Sequence, residues 1–292
     1  MRVQVRIVNA FVDGKQGGNP AGVVLQADGL DAQQKQAIAA QVGVSETAFV
    51  SSSSSAAFKL EFFTPNRQIA HCGHATVATF SLLRQLGQVD EGWSSKETLD
   101  GNRDILIQAD MAFMEQRAPE YCDLDDDPAL LADILAALGT DPGHLLPGLR
   151  PVRVSTGGAF VVAPLVDEAQ VHVLQPDQAA LARISEQLEL IGFYVFSPQA
   201  RKPGRAAGAR MFAPRYGIAE EAATGMAAGP LACFLHDRMQ VPGARLLIEQ
   251  GYLMQPPSPR VITVDLQLAD GRIERLLAGG RAQTMHELSL EI

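Results

Sequence analysis

The chain has 292 residues, and 47% of them are apolar, so it can bury a sizeable core and general disorder is excluded. The net charge of −9 argues against a general nucleic-acid binder, because such proteins normally carry a basic field. An anionic substrate stays possible, since a local site can be positive inside an acidic protein. At about 100–200 residues per domain, this length allows two domains.

The compartment is predicted from three features of the chain. Residues Met1–Ile7 alternate between apolar and polar, which is typical of a strand and not of a signal peptide. The longest apolar stretch, Ala222–Leu235, is shorter than the ~20 residues of a membrane span and contains Gly and Pro. The three cysteines are scattered without a CxxC pair, which suggests neither a disulfide framework nor a zinc site. We therefore expect a cytoplasmic protein with no membrane or nucleic-acid partner.

In the first half of the chain, the apolar pattern predicts strands and two helices. The first helix covers Asp31–Val42 and ends at Gly43, a natural helix stop. The second covers Val77–Leu86 and is apolar in most directions, so we expect it to be buried on nearly all sides. A glycine-rich turn over Gly14–Pro20 joins the first two of the predicted strands, which are Val3–Val12, Ala21–Leu25, Ser45–Val50 and Phe58–Phe63.

The second half repeats this plan. The acidic run Asp123–Asp127 is predicted to cap the helix that follows it. The basic segment Arg201–Arg210 is predicted to be a flexible loop, and an apolar helix is expected to end near Leu235. Strands are predicted over Val152–Val154, Phe160–Ala163 and Gly192–Ser197.

Both halves share an order of Phe-x-Pro, a loop, a glycine and a buried helix. The first copy is Phe63-Thr64-Pro65 with Gly73, and the second is Phe212-Ala213-Pro214 with Gly225. This repetition indicates a duplicated fold. Two helix N-termini that faced one cleft would bind an anion, because the free N–H groups and the helix dipole both favour negative charge.

Four strings in order carry a family resemblance: Gly18–Gly22, Val44–Phe49, Cys72–Thr76 (after Phe63-Thr64-Pro65) and Gly217–Gly225. Together they resemble the phenazine-biosynthesis isomerase (PhzF-like) family, from about Val5 to the C-terminus. The resemblance implies an α+β fold of the diaminopimelate-epimerase type. It has two similar lobes, each a barrel-like, mostly antiparallel sheet around a central helix, with the active site between them. It also implies a homodimer.

The domain boundaries follow from this implied fold. We expect an N-terminal lobe over residues 1–118, joined by a last strand from 281–292. We expect a C-terminal lobe over residues 119–280.

The resemblance implies that Glu46 is the acid/base of a cofactor-independent isomerase. The family's reaction moves a proton on a small anionic, carboxylate-bearing metabolite such as trans-2,3-dihydro-3-hydroxyanthranilate. On spacing alone, a Glu between a helix stop and a strand is most often a solvated turn residue. One carboxylate can act first as base and then as acid if partial burial raises its pKa, and Ala48 and Phe49 supply apolar surroundings.

The resemblance implies further site residues in the four strings and directly after the last of them. His74 and Glu221 join Glu46 in the predicted catalytic set, and we expect no metal ligands. The alternative for the first helix start is that Gly73 only permits close packing and His74 only caps the helix. The predicted substrate-binding residues are Asn19, Ser45, Gly73, Thr224, Gly225 and Met226.

The Gly217–Gly225 string and the residues that follow it depart from the family pattern Glu-Asp-Pro-x-Thr-Gly-Ser-Ala. Glu221 replaces the usual Asp, and Met226 replaces the usual Ser and cannot donate a hydrogen bond. These changes support one alternative, a non-catalytic or weakly active small-anion-binding paralogue. An amino-acid epimerase or racemase needs two cysteines, but Thr224 stands opposite Cys72 in the pattern and cannot ionise near neutral pH. The sequence therefore disfavours that second alternative and predicts that Cys72 is a packing residue.

Overall fold

The computed structural model describes residues 1–14 and 16–292, so Lys15 of the predicted glycine-rich turn lies outside the described residues. The chain divides into two compact units, residues 1–115 with 279–292, and residues 116–278. Within the described residues, no helix has the length and apolar character needed to cross a membrane.

The strands are β1 (Arg2–Ala10), β2 (Asn19–Val24), β3 (Glu46–Ser51), β4 (Phe58–Phe63), β5 (Gln68–Ile69), β6 (Gly92–Thr98), β7 (Gly101–Gln108), β8 (Met111–Arg117), β9 (Glu120–Asp123), β10 (Val152–Ser155), β11 (Ala159–Pro164), β12 (Gly192–Ser197), β13 (Ala207–Ala213), β14 (Ile218–Glu221), β15 (Arg245–Gln250), β16 (Arg260–Ala269) and β17 (Arg272–Glu291). The helices are α1 (Ala32–Val42), α2 (Gly73–Gln85), α3 (Pro128–Leu138), α4 (Glu168–Val173), α5 (Gln178–Gln187) and α6 (Gly225–Asp237).

The first unit is a closed eight-stranded barrel. Its strands neighbour one another in the order β1, β2, β3, β4, β6, β7, β8 and β17, and β17 returns to β1. The β2–β3 and β4–β6 pairs are parallel. A Cβ added at Gly279 of β17 would lie 2.1 Å from the Ala112 carbonyl oxygen of β8, so only glycine allows this close approach. Closure leaves the ring of strands without a free edge.

Helix α2 forms the core of this barrel. It packs against β1, β2, β3 and β7, and every residue from His74 to Leu83 is buried. This agrees with its sequence, which is apolar or small in nearly every direction. Helix α1 begins with a capping box at Asp31 and ends at Gly43, which has a φ of 71°.

The second unit builds a similar sheet around α6. Its strands neighbour one another in the order β9, β10, β11, β12, β13, β15 and β16, with β14 against the other part of β13. Helix α6 packs against β10, β11 and β16, and its residues from Ala227 to Leu235 are buried. Helices α3, α4 and α5 contribute to a separate apolar cluster with Phe193 and Phe212. Asp127 caps α3, as predicted, by accepting a hydrogen bond from the Leu130 N–H at 2.9 Å.

The predicted α+β fold, with a barrel-like, mostly antiparallel sheet around a central helix, is confirmed. The prediction that Arg201–Arg210 is a flexible basic loop is wrong at its C-terminal end. Residues 207–213 form β13 and are all buried. Arg210 is buried because Glu220 and three backbone carbonyls satisfy its guanidinium, a tertiary pairing that the basic composition of the segment hides.

Candidate functional site

In the first unit, the N-terminus of α2 brings together three side chains with reactive groups. The His74 ring lies between the other two, with Nδ1 3.5 Å from Cys72 Sγ and Nε2 3.2 Å from Glu46 Oε2. Cys72 is the N-cap residue, but its side chain makes no capping hydrogen bond. Gly73 begins the helix, and a Cβ there would lie 3.2 Å from the mobile end of Met114. The thiol, imidazole and carboxylate therefore form a continuous polar chain at a helix start.

Burial and pairing shift the pKa values of Glu46 and His74 in opposite directions. For Glu46, burial raises the pKa, but the polar contact and charge of His74 and the hydrogen bond from Ser45 outweigh it, so the pKa lies below its ordinary value. For His74, burial lowers the pKa, but Cys72 and Glu46 raise it well above its ordinary value. The condition considered from the sequence, a Glu46 pKa raised by partial burial, is not met, because the imidazole outweighs burial. Both shifts favour the charged forms, a carboxylate beside an imidazolium.

The Glu46–His74 pair keeps unused hydrogen-bonding capacity. Only 6% of the His74 side chain and 20% of the Glu46 side chain are exposed. Within the described residues, neither Glu46 Oε2 nor His74 Nε2 has a well-aligned hydrogen-bond partner, although the two atoms are at ion-pair distance. A buried carboxylate oxygen with this free capacity can accept a proton or a hydrogen bond from a bound molecule.

The same three side chains are possible metal ligands, because their ligand atoms lie within 4.8 Å of one another. The two edges of the imidazole, however, face different partners, since Nδ1 lies towards Cys72 and Nε2 towards Glu46. One metal ion would bind at only one of these edges. The arrangement suits proton transfer along the chain better than coordination of an ion.

A buried lysine that the sequence analysis missed supports this helix start. Lys96 Nζ from β6 donates to Thr76 Oγ1 at 2.6 Å, lies 3.2 Å from His71 Nδ1 and sits 5.1 Å from the centre of the Phe62 ring. Burial lowers the pKa of Lys96 to about 7. Burial and the Lys96 charge lower the pKa of His71 to about 3, so His71 is neutral. The polar pattern of β6 gave no sign that Lys96 points inward.

Two predicted substrate-binding residues lie on or next to the strands around Glu46. Ser45 precedes Glu46 in the chain, and its side chain lowers the pKa of the Glu46 carboxylate. Asn19 is 8% exposed and begins β2, which pairs in parallel with β3 so that Ala21 lies opposite Glu46. Because alternate residues of a strand share a face, Asn19 lies on the same face as Ala21, two residues along β2.

In the second unit, a network of hydrogen bonds that includes the Glu221 carboxylate surrounds the N-terminus of α6. The N-cap residue Thr224 does not cap the helix, and its hydroxyl instead donates to Glu221 Oε2 at 2.9 Å. Gln250 Oε1 accepts from the Thr224 N–H at 3.0 Å and from the Tyr194 hydroxyl at 2.8 Å. Gln250 Nε2 donates to the Glu221 carbonyl at 2.6 Å. Burial and the Glu221 charge raise the pKa of Tyr194, which keeps its hydroxyl neutral and able to donate.

The next two residues of α6 have different surroundings. The Gly225 carbonyl accepts from Gln116 Nε2 at 2.9 Å. Met226 packs beside Gly158, where an added Cβ would lie 3.2 Å from Met226 Cε and 2.3 Å from Ile191 Cδ1. The absence of a side chain at Gly158 therefore makes room for the methionine that stands at the usual serine position.

Arg260 is a second residue that the sequence analysis missed. It begins β16 directly opposite Gln250, and it is 5% exposed. Burial lowers its pKa to about 10, and the charge of Glu221 acts in the opposite direction. No sequence signal marks this arginine, because its burial results from the pairing of β15 with β16.

The predicted site residues thus fall into two groups, each assembled within its own unit. Glu46 and His74 lie together in the first unit, near Ser45, Gly73 and Asn19. The second unit brings together Glu221, Thr224, Gly225 and Met226. Their roles in binding and catalysis stay predictions.

Comparison with known proteins gives these two groups a context. The model of the family described as phenazine biosynthesis-like protein (PhzC-PhzF) matches residues 8–287. A protein of Escherichia coli O157:H7 named "Uncharacterized isomerase YddE" is 32% identical, over 97% of this chain and 96% of that protein. The "Trans-2,3-dihydro-3-hydroxyanthranilate isomerase" of Pseudomonas chlororaphis is 30% identical, over 92% of this chain and 91% of that protein. The crystal structure of a PhzF-family phenazine biosynthesis protein from Bacillus anthracis has a TM-score of 0.87 and 25% identity, with 100% of both chains covered.

Proposed function

The chain belongs to the phenazine biosynthesis-like family, and from this premise we propose that it is an isomerase that moves a proton within a small carboxylate-bearing metabolite. Glu46 is the acid/base of this proposal. The observation that carries it is the Glu46–His74 contact of 3.2 Å, in which the buried carboxylate oxygen keeps free hydrogen-bonding capacity.

The lowered pKa of Glu46 fits both halves of such a reaction. The carboxylate is ionised at neutral pH, so it is available to take a proton as a C–H bond of the substrate breaks and a carboxyl O–H bond forms. The protonated carboxyl is then a good acid, and it returns the proton to another carbon of the same conjugated system while the double bond shifts. His74 orients the carboxylate and holds it ionised between turnovers. The proposal assigns every step to side chains and requires no cofactor.

The name of one relative supports the proposed substrate class. The Pseudomonas chlororaphis relative is named for trans-2,3-dihydro-3-hydroxyanthranilate, and we propose a substrate of similar size that carries one carboxylate. Met226 removes a hydroxyl donor, which changes the binding of a polar group by about 1–3 kcal/mol if that group is left unpaired. A less polar ligand than that of the relative is therefore proposed.

Proton exchange with solvent tests the role of Glu46. The native protein, Glu46→Gln and Glu61→Gln are incubated in deuterated water with trans-2,3-dihydro-3-hydroxyanthranilate and related dienyl carboxylates, and deuterium uptake is measured by mass spectrometry. Glu61→Gln is the matched control, because it removes a carboxylate paired with Lys35 and not with His74. We expect Glu46→Gln to lower the exchange rate by about 10²–10⁴-fold and the control to keep it.

Two outcomes would contradict the proposal. Exchange by Glu46→Gln at the native rate would show that Glu46 is not the base. Binding of these carboxylates by the native protein without any exchange would favour a non-catalytic anion-binding paralogue. The Thr224–Glu221 hydrogen bond and the packed Met226 support that alternative, because they leave the second unit with fewer free donors.

A further inference from the structure

Arg260 in the second unit is a buried cation that lacks hydrogen bonds at two of its nitrogens. It is 5% exposed, and neither Nε nor Nη1 has a partner within the described residues. A guanidinium stays charged and carries five N–H donors, so burying these groups without acceptors is strongly unfavourable. A bound molecule with hydrogen-bond acceptors would satisfy these two nitrogens.

Arg210 in the same unit shows how this protein buries an arginine for structural purposes. It is 8% exposed, and Nε and Nη2 donate to the two carboxylate oxygens of Glu220 at 2.9 and 2.8 Å. Its Nη1 donates to three backbone carbonyls, those of Val171, His172 and Leu174. Arg260 and Arg210 are therefore buried to a similar degree. The Arg210 guanidinium has hydrogen-bond acceptors at all three nitrogens, whereas Nε and Nη1 of Arg260 have none in the part of the chain that the structure describes.

The strand register places Arg260 beside the N-terminus of α6. Arg260 lies directly opposite Gln250 in the antiparallel β15–β16 pair, so the two side chains share a face of the sheet. The Gln250 side chain is bonded to Thr224, the N-cap residue of α6, and to the Glu221 carbonyl. Gln250 thus neighbours both a helix start whose N-cap hydroxyl points elsewhere and a buried guanidinium with two nitrogens that lack hydrogen bonds to the described residues. Both features favour an anion.

We propose that the Arg260 guanidinium binds the carboxylate of a small ligand and so determines a preference for carboxylate-bearing ligands. This rests on the proposed function only for the existence of such a ligand. A carboxylate suits these donors because hydrogen bonds between two ionised groups are shorter and stronger than neutral ones. A singly charged group also suits a site that already contains the negative charge of Glu221, which acts on Arg260. Arg260 is a specificity residue and takes no part in proton transfer.

A pair of ligands that differ only in the carboxylate tests the proposal by calorimetry. The probes are 3-hydroxyanthranilate and 2-aminophenol, which lacks the carboxylate. We expect the native protein to prefer 3-hydroxyanthranilate by about 10–100-fold, the value of one charge-assisted hydrogen-bonded pair. Arg260→Met is expected to abolish this preference and leave 2-aminophenol binding unchanged, and Arg260→Lys to restore part of it. The matched control Arg210→Met is expected to keep the preference.

Thermal unfolding of the ligand-free protein separates a binding role from a structural one. Arg260→Met is expected to keep or raise the Tm, because it removes unsatisfied buried donors, whereas Arg210→Met is expected to lower it because Glu220 loses its partner. A lower Tm for Arg260→Met with an unchanged ligand preference would overturn the proposal, and so would a native protein without any preference. Glu46→Gln is expected to lose exchange and keep the preference, so failure of the proposed reaction is distinguishable from failure of this site.

Discussion

The starts of α2 and α6 are built alike and surrounded differently. Each helix begins with a glycine after an N-cap residue whose side chain does not cap it, and each continues into a buried core. At α2, the neighbours Glu46 and His74 change each other's protonation. At α6, Thr224 and Gln250 are neutral and satisfy each other. The difference teaches that one helix start is suited to proton movement and the other to holding a fixed polar surface.

Replacement of His74 is expected to have the largest effect on the difference between the two helix starts. We expect His74→Gln to lower proton exchange by about 10²-fold, within the range for groups that assist acid–base catalysis. Without His74, burial is opposed only by the Ser45 side chain, so the pKa of Glu46 rises and the acid limb of the pH–rate profile moves to higher pH. Exchange rates measured from pH 4 to pH 9 check this. An unmoved acid limb would show that His74 does not control the charge of Glu46.

Removal of the central amide at α6 would affect stability instead. Gln250→Leu leaves the buried Thr224 N–H and the Tyr194 hydroxyl without their acceptor, so we expect a loss of about 2 kcal/mol in the free energy of unfolding. Urea denaturation measures the loss. The acid limb of the exchange profile is expected to stay where the native protein has it. A shift of that limb would contradict the separation of the two environments.

The pH dependence of stability sharpens the same comparison. The lowered pKa of Glu46 stabilises the fold above its ordinary value of 4.5, and this contribution is lost as pH falls through the folded-state pKa. The raised pKa of His74 stabilises the fold below its ordinary value of 6.5, and this contribution is lost as pH rises through the folded-state pKa. The stability difference between native protein and His74→Gln should therefore be largest between these pH values. Denaturation at pH 5.5 and pH 9 checks the decrease, and a constant difference would refute it.

The smallest expected effect concerns the altered position on α6. Met226→Ser restores the serine typical of the family, and we expect the free energy of unfolding to change by no more than about 1 kcal/mol because Met226 is only half-buried. The hydroxyl is expected to tighten binding of 3-hydroxyanthranilate, measured by calorimetry. Met226→Leu, which adds no donor, is the control. Equal affinities for both variants would show that position 226 does not contact the ligand.

Much of the fold was predictable, because it depends on patterns that are local in sequence. The strands Phe58–Phe63 and Gly192–Ser197 were predicted with the bounds that the structure has, since their apolar runs end at turn residues. The predicted helix Val77–Leu86 begins four residues too late, because α2 begins at Gly73, although Gly73 and Gly225 were both expected at helix starts. The homodimer and the cytoplasmic location stay predictions.

The charges of the site were not predictable, because they depend on partners distant in sequence. Glu46 has a lowered pKa only because α2 brings His74 to it, 28 positions further along the printed sequence. Lys96 and Arg260 lie in strands with mixed polar patterns, and only the pairing of those strands buries them. Arg210 was assigned to a loop for the same reason. The sequence shows which residues are charged, but only the tertiary structure shows which groups pair with those charges.

The return of β17 to β1 has a consequence for synthesis on the ribosome. Arg2 pairs with Glu291, and Ala10 pairs with Ala282, so more than 270 residues are synthesised between the two strands of this pair. Residues 116–278 leave the ribosome before the strand that closes the first barrel. Until then, β1 and β8 present open edges that can pair with other chains. Nascent chains halted before residue 279 are therefore the form of this protein most exposed to misassembly.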